Sequence, residues 1–535
     1  MKDNFLKNSL YILSILIFTL YILYRIFFTL TFKLGIVCFI FSLLLLTIEV
    51  WDYFDCTIFF LNILIPRKKK YVKPSIDKNS FPNVDIFIAT YNESEDILSN
   101  TITKCLNLNY PNNNLIHIYV CDDGNRDNIK HLTQKLNVNY ISRTSRKDFK
   151  AGNYNNALSK TSSPYIVTLD ADMAPEPNFL LEVIPYFFLN KNIGFVQLPQ
   201  SFTNPDIFQH RFNLGDSIPF EQDYFYNFIN LKKNTFNSSI YCGTNAVLSR
   251  EALYKSNNFA TNSITEDIAT GLNMEIQGYT GIALDKTLVY GKTVLDYDSF
   301  IKQRTRWARG SIQILKSTNI LFNKILSIRQ KFDYLSCISY WFFGIKKIIY
   351  LIAPLLFCVF NIITLDCNWY IFFTLWLLSC LLRKYVVDIS STHSHSSTWN
   401  KIHEIILFPI LAKEVIFELF GFNNVGFEVS SKNENLKNSI SSNTSKVFFT
   451  HLFFLLLNTI GLSTCIFKFI LFDFNIAFIF SMFFILSNIF YLLIAIVFDI
   501  SNRNDVTNNF IPNKVSKYSI KSIFNIFTNV LWREK

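Results

Sequence analysis

The chain has 535 residues, half of them hydrophobic, and 56 of them are phenylalanine. This composition is too apolar for a protein that is soluble along its whole length, so part of the chain is expected in contact with membrane lipid. The 51 Lys and Arg residues exceed the 40 Asp and Glu residues. They concentrate beside the apolar runs, as at 67–70, which is typical of cytoplasmic span ends and predicts no nucleic-acid partner. The ten cysteines show neither a disulfide framework nor a zinc-ligand spacing.

Two apolar runs open the chain, at residues 9–31 and 34–64. Each is long enough to cross a bilayer, which takes about 20 helical residues. The first is too long for a signal peptide and no small-residue cleavage site follows it, so both are expected to remain in the protein. The basic cluster at 67–70 predicts that the next segment, and the amino terminus, are cytoplasmic.

A polar region follows, in which short β-branched runs alternate with helical stretches. The predicted strands are 84–90, 116–121, 138–141, 165–169 and 194–198. This alternation predicts a parallel sheet with Rossmann-like helical crossovers. Ligands on such sheets collect at the carboxyl ends of strands. Carboxylates stand there, at Asp122-Asp123 after one strand and at Asp170 and Asp172 after another.

Apolar runs return after residue 330 and bring the predicted number of spans to six. The later spans are predicted at 348–366, 369–382, 447–470 and 475–499. Segment 399–420 is also apolar, but charged residues interrupt it, so it is predicted to be an amphipathic helix in the cytoplasmic interface. The predicted divisions are two spans (1–66), the cytoplasmic domain (67–330), two spans (331–390), the interfacial helix with a loop (391–445), two spans (446–500) and a basic cytoplasmic tail (501–535).

Three acidic motifs carry the predicted chemistry. Asp170 and Asp172 offer hard oxygen ligands that suit Mg²⁺ or Mn²⁺ on a diphosphate, although an isolated Asp-x-Asp is more often a surface turn. Asp122-Asp123 also has a turn or cap as its alternative. Thr265-Glu266-Asp267 has the pattern of a helix start, but Asp267 is also placed as a base for an acceptor hydroxyl.

The motif Gln303-x-x-Arg306-Trp307 is more specific than the acidic pairs. One or two helical turns bring together an amide, a guanidinium and an indole. Arginine can hold a diphosphate, and tryptophan can stack on a sugar ring. The alternative interpretation is an Arg/Trp belt beside a membrane.

In this order the motifs resemble the processive family 2 glycosyltransferases, and most closely the bacterial cellulose synthases. The likeness extends from Asp85 to about Lys432 and includes further blocks at 90–93, 150–153, 195–197, 204–206 and 242–244. The resemblance implies an α/β GT-A (Rossmann-like) cytoplasmic domain inserted in an α-helical membrane protein with about six transmembrane helices. It also implies a multi-pass protein of the plasma (inner) membrane.

The resemblance further implies a role for each matching residue. The UDP-sugar donor would be held by Thr90, Tyr91, Glu93, Asp122, Asp123, Lys150, Asp170, Gln303 and Arg306. Asp172, with Asp170, would bind Mg²⁺ or Mn²⁺, and Asp267 with Glu266 would be catalytic. The growing polysaccharide would contact Trp307, Cys242 and Thr265.

Residues 427–432 resemble the gating loop of cellulose synthases through Phe427, Val429, Ser430 and Lys432, with serine in place of that family's threonine. A polar linker is the alternative. The best-known relatives carry a carboxyl-terminal PilZ domain that binds cyclic di-GMP. Residues 501–535 are too few for such a barrel, so no cyclic di-GMP domain is expected in this chain. Their mixture of Lys with apolar residues suits an anionic membrane surface.

The implied activity is a processive, inverting transfer from UDP-glucose that builds a β-glucan, cellulose being favoured, and moves it across the membrane. Curdlan, mixed-linkage glucan and an N-acetylglucosamine polymer remain open, as does a non-processive transfer of one sugar to a lipid carrier. An accessory synthase subunit would be a further partner. A non-enzymatic membrane scaffold is disfavoured by the intact carboxylates. The aromatic candidates for stacking sugars in a channel, with a lipid-facing role as the alternative, are Trp341, Phe342, Phe343 and Trp369.

Overall fold

The computed structural model describes residues 2–65, 71–390, 396–422, 442–471 and 476–501. The predicted gating loop and most of the basic tail lie outside these residues. The strands are β1 (Val84–Thr90), β2 (Ile116–Asp122), β3 (Asn139–Ser142), β4 (Tyr165–Asp170), β5 (Ala174–Pro175), β6 (Ile193–Gln197), β7 (Ser201–Phe202), β8 (Ala246–Ser249), β9 (Thr280–Ala283) and β10 (Val289–Gly291).

The helices alternate with these strands in the middle of the chain and lengthen towards its ends. They are α1 (Lys2–Phe28), α2 (Ile36–Leu64), α3 (Glu95–Leu106), α4 (Asp127–Lys135), α5 (Phe149–Leu158), α6 (Phe179–Val183), α7 (Ile207–Arg211), α8 (Asn230–Lys233), α9 (Arg250–Lys255), α10 (Glu266–Ile276), α11 (Tyr297–Ser317), α12 (Ile328–Ser339), α13 (Phe343–Phe360), α14 (Trp369–Ser390), α15 (Ser397–Phe420), α16 (Ser442–Leu471) and α17 (Ile476–Ile500).

A seven-stranded sheet in the order β3-β2-β1-β4-β8-β6-β9 forms the centre of the polar domain. Strands β3, β2, β1 and β4 are parallel, with helices in the crossovers, as the sequence predicts. Burial on both faces explains the nearly continuous apolar run of β1, in which six of seven residues are buried. A smaller sheet, β5-β10-β7, accompanies it. The observed topology confirms the expected α/β GT-A class.

Strand β8 departs from the prediction of a wholly parallel sheet, because it runs antiparallel to both neighbours, β4 and β6. Its first residue, Ala246, pairs with Gln197, the last residue of β6. The chain therefore enters β8 at the edge of the sheet where β4 and β6 end. From there β8 can only run in the direction opposite to those two strands. Neither β8 nor β9 was predicted; each has four residues, too few to establish a periodic pattern.

Six helical segments in the described part of the chain are long and apolar enough to span a membrane, which confirms the predicted number. They are Leu6–Leu34, Ile36–Leu64, Ile328–Phe360, Trp369–Ser390, Ser445–Leu471 and Ile476–Ile500. Two of these segments differ clearly from the predicted ones. The third segment begins with α12 and ends at residue 360, since Asn361 adopts a left-handed conformation that ends the helix. The fourth continues beyond residue 382 to Ser390.

Helix α15 is the segment predicted to be amphipathic, and its two faces differ as expected. Ile402, Ile406 and Leu411 are buried, whereas Lys401 and Lys413 are exposed. The apolar face packs against α11, α13 and α17, which links the polar domain to the spanning segments. Its place in the cytoplasmic interface remains a prediction.

We expect Gly344→Ala to destabilise the contact between α13 and α15. A Cβ atom at Gly344 would lie 2.7 Å from the backbone nitrogen of Ala412 and 2.9 Å from the carbonyl oxygen of Phe408. Backbone atoms cannot yield as side chains can, and overpacking of this kind costs about 1–3 kcal/mol. Thermal unfolding of the protein in detergent measures the loss.

The matched control is Gly461→Ala in α16. A Cβ atom there would lie 2.3 Å from Leu355 Cδ2, the end of a flexible side chain that can rotate away. The control should lower the unfolding midpoint less than Gly344→Ala does. Equal midpoints for the two variants would contradict the rigid contact between the two helices.

Candidate active site

The candidate site lies at the carboxyl ends of β1, β2 and β4. The pairing register places Thr90 beside Asp122, and Ala89 beside Asp170. Three segments that carry predicted site residues therefore leave the sheet side by side. This arrangement is the one expected from the order of the strands and the position of the carboxylates.

Glu93 organises the loop that follows β1. Its Oε2 accepts hydrogen bonds from Thr90 Oγ1 at 2.8 Å and from the backbone nitrogen of Tyr91 at 2.8 Å. The guanidinium carbon of Arg146 lies 3.6 Å from the centre of the Tyr91 ring. The predicted residues Thr90, Tyr91 and Glu93 thus form one folded unit, and a flat cationic group covers its aromatic ring.

Asp122 is fully buried, and its carboxylate is already occupied by groups of the protein. It accepts hydrogen bonds from the backbone nitrogens of Gly124 at 2.9 Å and Arg126 at 2.8 Å, from the Arg126 guanidinium at 3.1 Å and from Tyr140 Oη at 3.0 Å. Burial also raises the pKa of Tyr140 to about 12, and the Asp122 charge adds to the effect. Asp122 therefore shapes the site by holding the loop after β2.

Asp123 faces a different arginine. Arg143 donates to both of its carboxylate oxygens, at 2.6 and 2.8 Å, and also to the carbonyl oxygens of Lys147 and Phe149. The bidentate pair joins the loops after β2 and β3. Sequence reasoning missed Arg126, Arg143 and Arg146. The only local signal was the basic run from Arg143 to Lys147 directly after a strand.

Lys150 connects the end of β4 to the loop before β8. Its Nζ donates to Asp170 Oδ1 at 2.6 Å and to the carbonyl oxygen of Gly243 at 3.0 Å. Burial by itself would lower the pKa of Lys150, but the charges of Asp170 and Glu266 outweigh it and hold that pKa above its ordinary value. A permanent positive charge therefore lies beside the predicted metal ligands, where it can hold phosphate oxygens.

Asp170 and Asp172 fit a divalent cation by the chemistry of their oxygen ligands. Within residues 2–501, apart from the gaps in the description, no three His, Cys, Asp or Glu side chains cluster as a metal site. Mg²⁺ is commonly bound by one or two carboxylates and completes its shell with water and substrate phosphates. The pair therefore suits a cation that binds together with a diphosphate.

Helix α10 begins with the two carboxylates predicted to be catalytic. Burial, followed by the charge of Asp267, raises the pKa of Glu266 to about 6. Burial also raises the pKa of Asp267, while Lys150 and Arg306 oppose that shift. Thr265 stands at the N-cap position but makes no side-chain capping hydrogen bond. The helix therefore begins where the Thr265-Glu266-Asp267 pattern predicts, but the Thr265 side chain does not cap it.

The loop 242–245 packs directly on Asp267. Gly243 has a φ of +78°, and a Cβ atom there would lie 3.0 Å from Asp267 Oδ2. Gln197 braces this loop, since its side chain accepts from the backbone nitrogen of Cys242 and donates to the carbonyl oxygen of Thr244, both at 2.8 Å. Glycine is required here both by the backbone conformation and by the close approach of the carboxylate.

Helix α11 carries the predicted Gln303, Arg306 and Trp307 and lies against the start of α10. The positive charge of Arg306 lowers the pKa of both Glu266 and Asp267. The Trp307 and Trp341 rings lie 6.5 Å apart in an edge-to-face arrangement. The motif thus lies between the carboxylates of α10 and Trp341, which stands between α12 and α13.

We expect Asp122→Asn to unfold the site loop without a direct loss of catalytic chemistry. Removing one partner of a buried ion pair costs about 3 kcal/mol. The thermal midpoint in detergent should fall clearly. Glu251→Gln is the control, because the Glu251–Lys255 pair is exposed and contributes little. An unchanged midpoint for Asp122→Asn would contradict the structural role.

Comparison with known proteins matches the two halves of this site to two family models. The model for glycosyl transferase family 2 matches residues 85–256, and the model for cellulose synthase matches residues 258–400. The cellulose synthase catalytic subunit [UDP-forming] of Pseudomonas fluorescens (strain SBW25) is 30% identical over 373 residues, 69% of this chain and 50% of that protein. The subunit of the same name from Xanthomonas axonopodis pv. citri (strain 306) is 31% identical over 311 residues, 58% of this chain and 42% of that protein.

The chain spans about half the length of these curated relatives or less. Among solved structures, a mannosyltransferase from Pyrobaculum calidifontis in complex with GDP-Man and Mn²⁺ aligns with 72% of this chain and 100% of that chain, at a TM-score of 0.49 and 14% identity. The regions matched by the two family models adjoin between α9 and α10, just before the two carboxylates at the start of α10. The polar domain is therefore similar to family 2 glycosyltransferases, and the segment from α10 to the start of α15 is similar to cellulose synthases.

Proposed function

We propose that the protein is a processive, inverting glycosyltransferase that polymerises UDP-glucose into a β-glucan, with cellulose favoured, and passes it across the plasma membrane. The catalytic domain would then lie on the cytoplasmic side. The observation that carries the proposal is that Asp267 packs on Gly243, whose carbonyl oxygen accepts a hydrogen bond from Lys150, the partner of Asp170. Helix α11, which bears Trp307, packs against the start of α10 beside them. This arrangement joins a base, a phosphate-binding cation and an acceptor platform in one site.

Asp267 is the proposed general base. It takes the proton of the hydroxyl at the polymer end as that oxygen attacks the anomeric carbon of the donor sugar. The bond to the UDP oxygen breaks in the same displacement, so the configuration at that carbon inverts. Lys150 and Arg306 would hold the negative charge of the diphosphate, and the positive charge of each also lowers the pKa of Asp267. When bound by Asp170 and Asp172, Mg²⁺ or Mn²⁺ would supply further positive charge to the leaving diphosphate.

The proposed binding and passage of the growing chain rest on residues of α11 and of the apolar segment that follows it. Trp307 lies next to Trp341, and the helix that follows carries polar groups into the apolar region. Lys346 donates to Asp52 at 2.8 Å, and Tyr350 donates to the same carboxylate at 2.7 Å. Ionisable side chains inside spanning helices are rare and commonly line a path for a polar solute. A glucan is such a solute, so these residues support translocation.

Incubation of the purified protein in vesicles with single UDP-sugars and Mg²⁺ or Mn²⁺ tests the donor and the product together. A polymer from UDP-glucose that cellulase digests would support cellulose, and one that only a β-1,3-glucanase digests would select curdlan. Polymer from UDP-N-acetylglucosamine would identify a different synthase. Transfer of one sugar to an added lipid carrier, without polymer, would overturn processive synthesis.

Asp267→Asn should lower the rate of polymer formation by at least about 100-fold, because an amide cannot accept the proton. UDP binding, measured by calorimetry, should stay within about twofold, because the other nucleotide-site residues are unchanged. Asp96→Asn, at an exposed position of α3, is the control and should keep full activity. Normal synthesis by Asp267→Asn would refute the proposed mechanism.

Activity should fall as the pH drops below neutrality, because burial raises the pKa of the proposed base, Asp267, and raises the pKa of its neighbour Glu266 to about 6. A carboxyl group with a raised pKa becomes protonated at a higher pH than usual, and Asp267 cannot accept the acceptor's proton once it is protonated. A profile of kcat/KM for UDP-glucose checks this expectation. A rate that stays constant far below pH 6 would contradict a carboxylate base in this environment.

A further inference from the structure

Arg304 lies within the Gln303–Trp307 motif, but sequence reasoning gives it no role. Its side chain is the deepest in the motif, with only 2% of its surface exposed, whereas Gln303, Arg306 and Trp307 are partly exposed. A buried guanidinium is costly unless its charge and its N–H groups have partners. The partners of Arg304 therefore show what holds this part of α11 in place.

Arg304 contacts two of the three motif residues that are predicted to meet a substrate, Gln303 on the donor side and Trp307 on the acceptor side. Its guanidinium carbon lies 4.2 Å from the centre of the Trp307 ring and 4.6 Å from the centre of the Phe300 ring. Its Nη1 donates to Gln303 Oε1 at 3.1 Å. The stacking restricts the plane of the Trp307 ring. The hydrogen bond occupies the Gln303 oxygen and leaves the amide nitrogen to donate elsewhere.

Glu221 neutralises Arg304 through an ion pair in which both side chains are largely buried. Glu221 is itself held by Asp206, whose Oδ2 accepts from its backbone nitrogen at 2.7 Å. Asp206 also caps α7, where its Oδ1 accepts from the backbone nitrogen of Gln209 at 2.8 Å. The Arg304 side chain is thus fixed by a segment outside α11.

We propose that Arg304, held by Glu221, is a positioning residue for the acceptor. It sets the plane of the Trp307 ring, and so fixes the end of the growing glucan beside Asp267. This inference rests on the proposed function. It predicts that loss of Arg304 geometry weakens retention of the polymer and leaves binding of the UDP-sugar intact.

Arg304→Lys separates geometry from charge. Lysine keeps the positive charge for Glu221 and an N–H group that can donate to Gln303, but it lacks the planar guanidinium that lies against the Trp307 and Phe300 rings. Arg329→Lys is the matched control. Arg329 also stacks on an aromatic ring, with its guanidinium carbon 4.5 Å from the centre of the Phe236 ring, and it donates to Asn62 Oδ1 at 2.8 Å, but it lies outside the site.

The experiment compares the mean length of the product chains and the KM for UDP-glucose in purified full-length variants. Arg304→Lys should shorten the product by about fivefold, the effect of weakening one stacked contact, with the KM for UDP-glucose within about twofold of the wild type. Arg329→Lys should leave both values unchanged. A merely structural role would reduce the amount of active protein, and that loss would not change product length.

Glu221→Gln provides a second test that does not depend on the folding of Arg304→Lys. It preserves the shape of the side chain and removes the charge that fixes Arg304, so it should also shorten the product. Full-length product from either folded variant would overturn the inference, as would a shorter product accompanied by an equal rise in the KM for UDP-glucose. Absence of polymer from the wild type would instead overturn the proposed function.

Discussion

The close packing of α11 against the start of α10 is the contact on which the site depends. A Cβ atom at Gly310 would lie 2.3 Å from Thr265 Oγ1, so only glycine allows the two helices to come this near. Ser263 Oγ donates to the Gly310 carbonyl oxygen at 3.0 Å, and the backbone nitrogen of Ile264 donates to Gln313 Oε1 at 2.9 Å. These contacts fix the two carboxylates of α10 relative to the motif on α11.

The same helix is anchored to apolar segments near both of its ends. Tyr297, at its start, donates to Asp499 of α17 at 3.3 Å, and Asp499 pairs with His451 of α16 at 2.5 Å. Towards its other end, Arg309 pairs with Glu418 of α15 at 2.9 Å. A displacement of α15 or α17 would therefore move α11 and the carboxylates packed against it together. The proposed joining of sugar transfer to polymer movement requires such a coupling.

Much of the fold could be predicted from local pattern, and its exceptions have local causes. The strand from Val84 to Thr90 was predicted with its observed bounds, because a strand buried on both faces is a nearly continuous apolar run. Strand β8 was missed and the sheet was taken as parallel. The direction of a four-residue strand depends on where the preceding loop ends, and the loop 242–245 ends beside Asp170, whose backbone nitrogen donates to Thr244 Oγ1 at 3.0 Å.

By itself the sequence determined the order of the motifs, the number of apolar segments and the strand ends at which the carboxylates stand, because these depend on neighbouring residues and on periodicity. Only the tertiary structure distinguished Asp122, which is saturated by Arg126 and Tyr140, from Asp123, which is paired with Arg143. It alone joined Arg304 to a glutamate 83 residues away. Such pairs form where separate segments fold together and burial requires each charge to find a partner, and no local pattern records which partner that is.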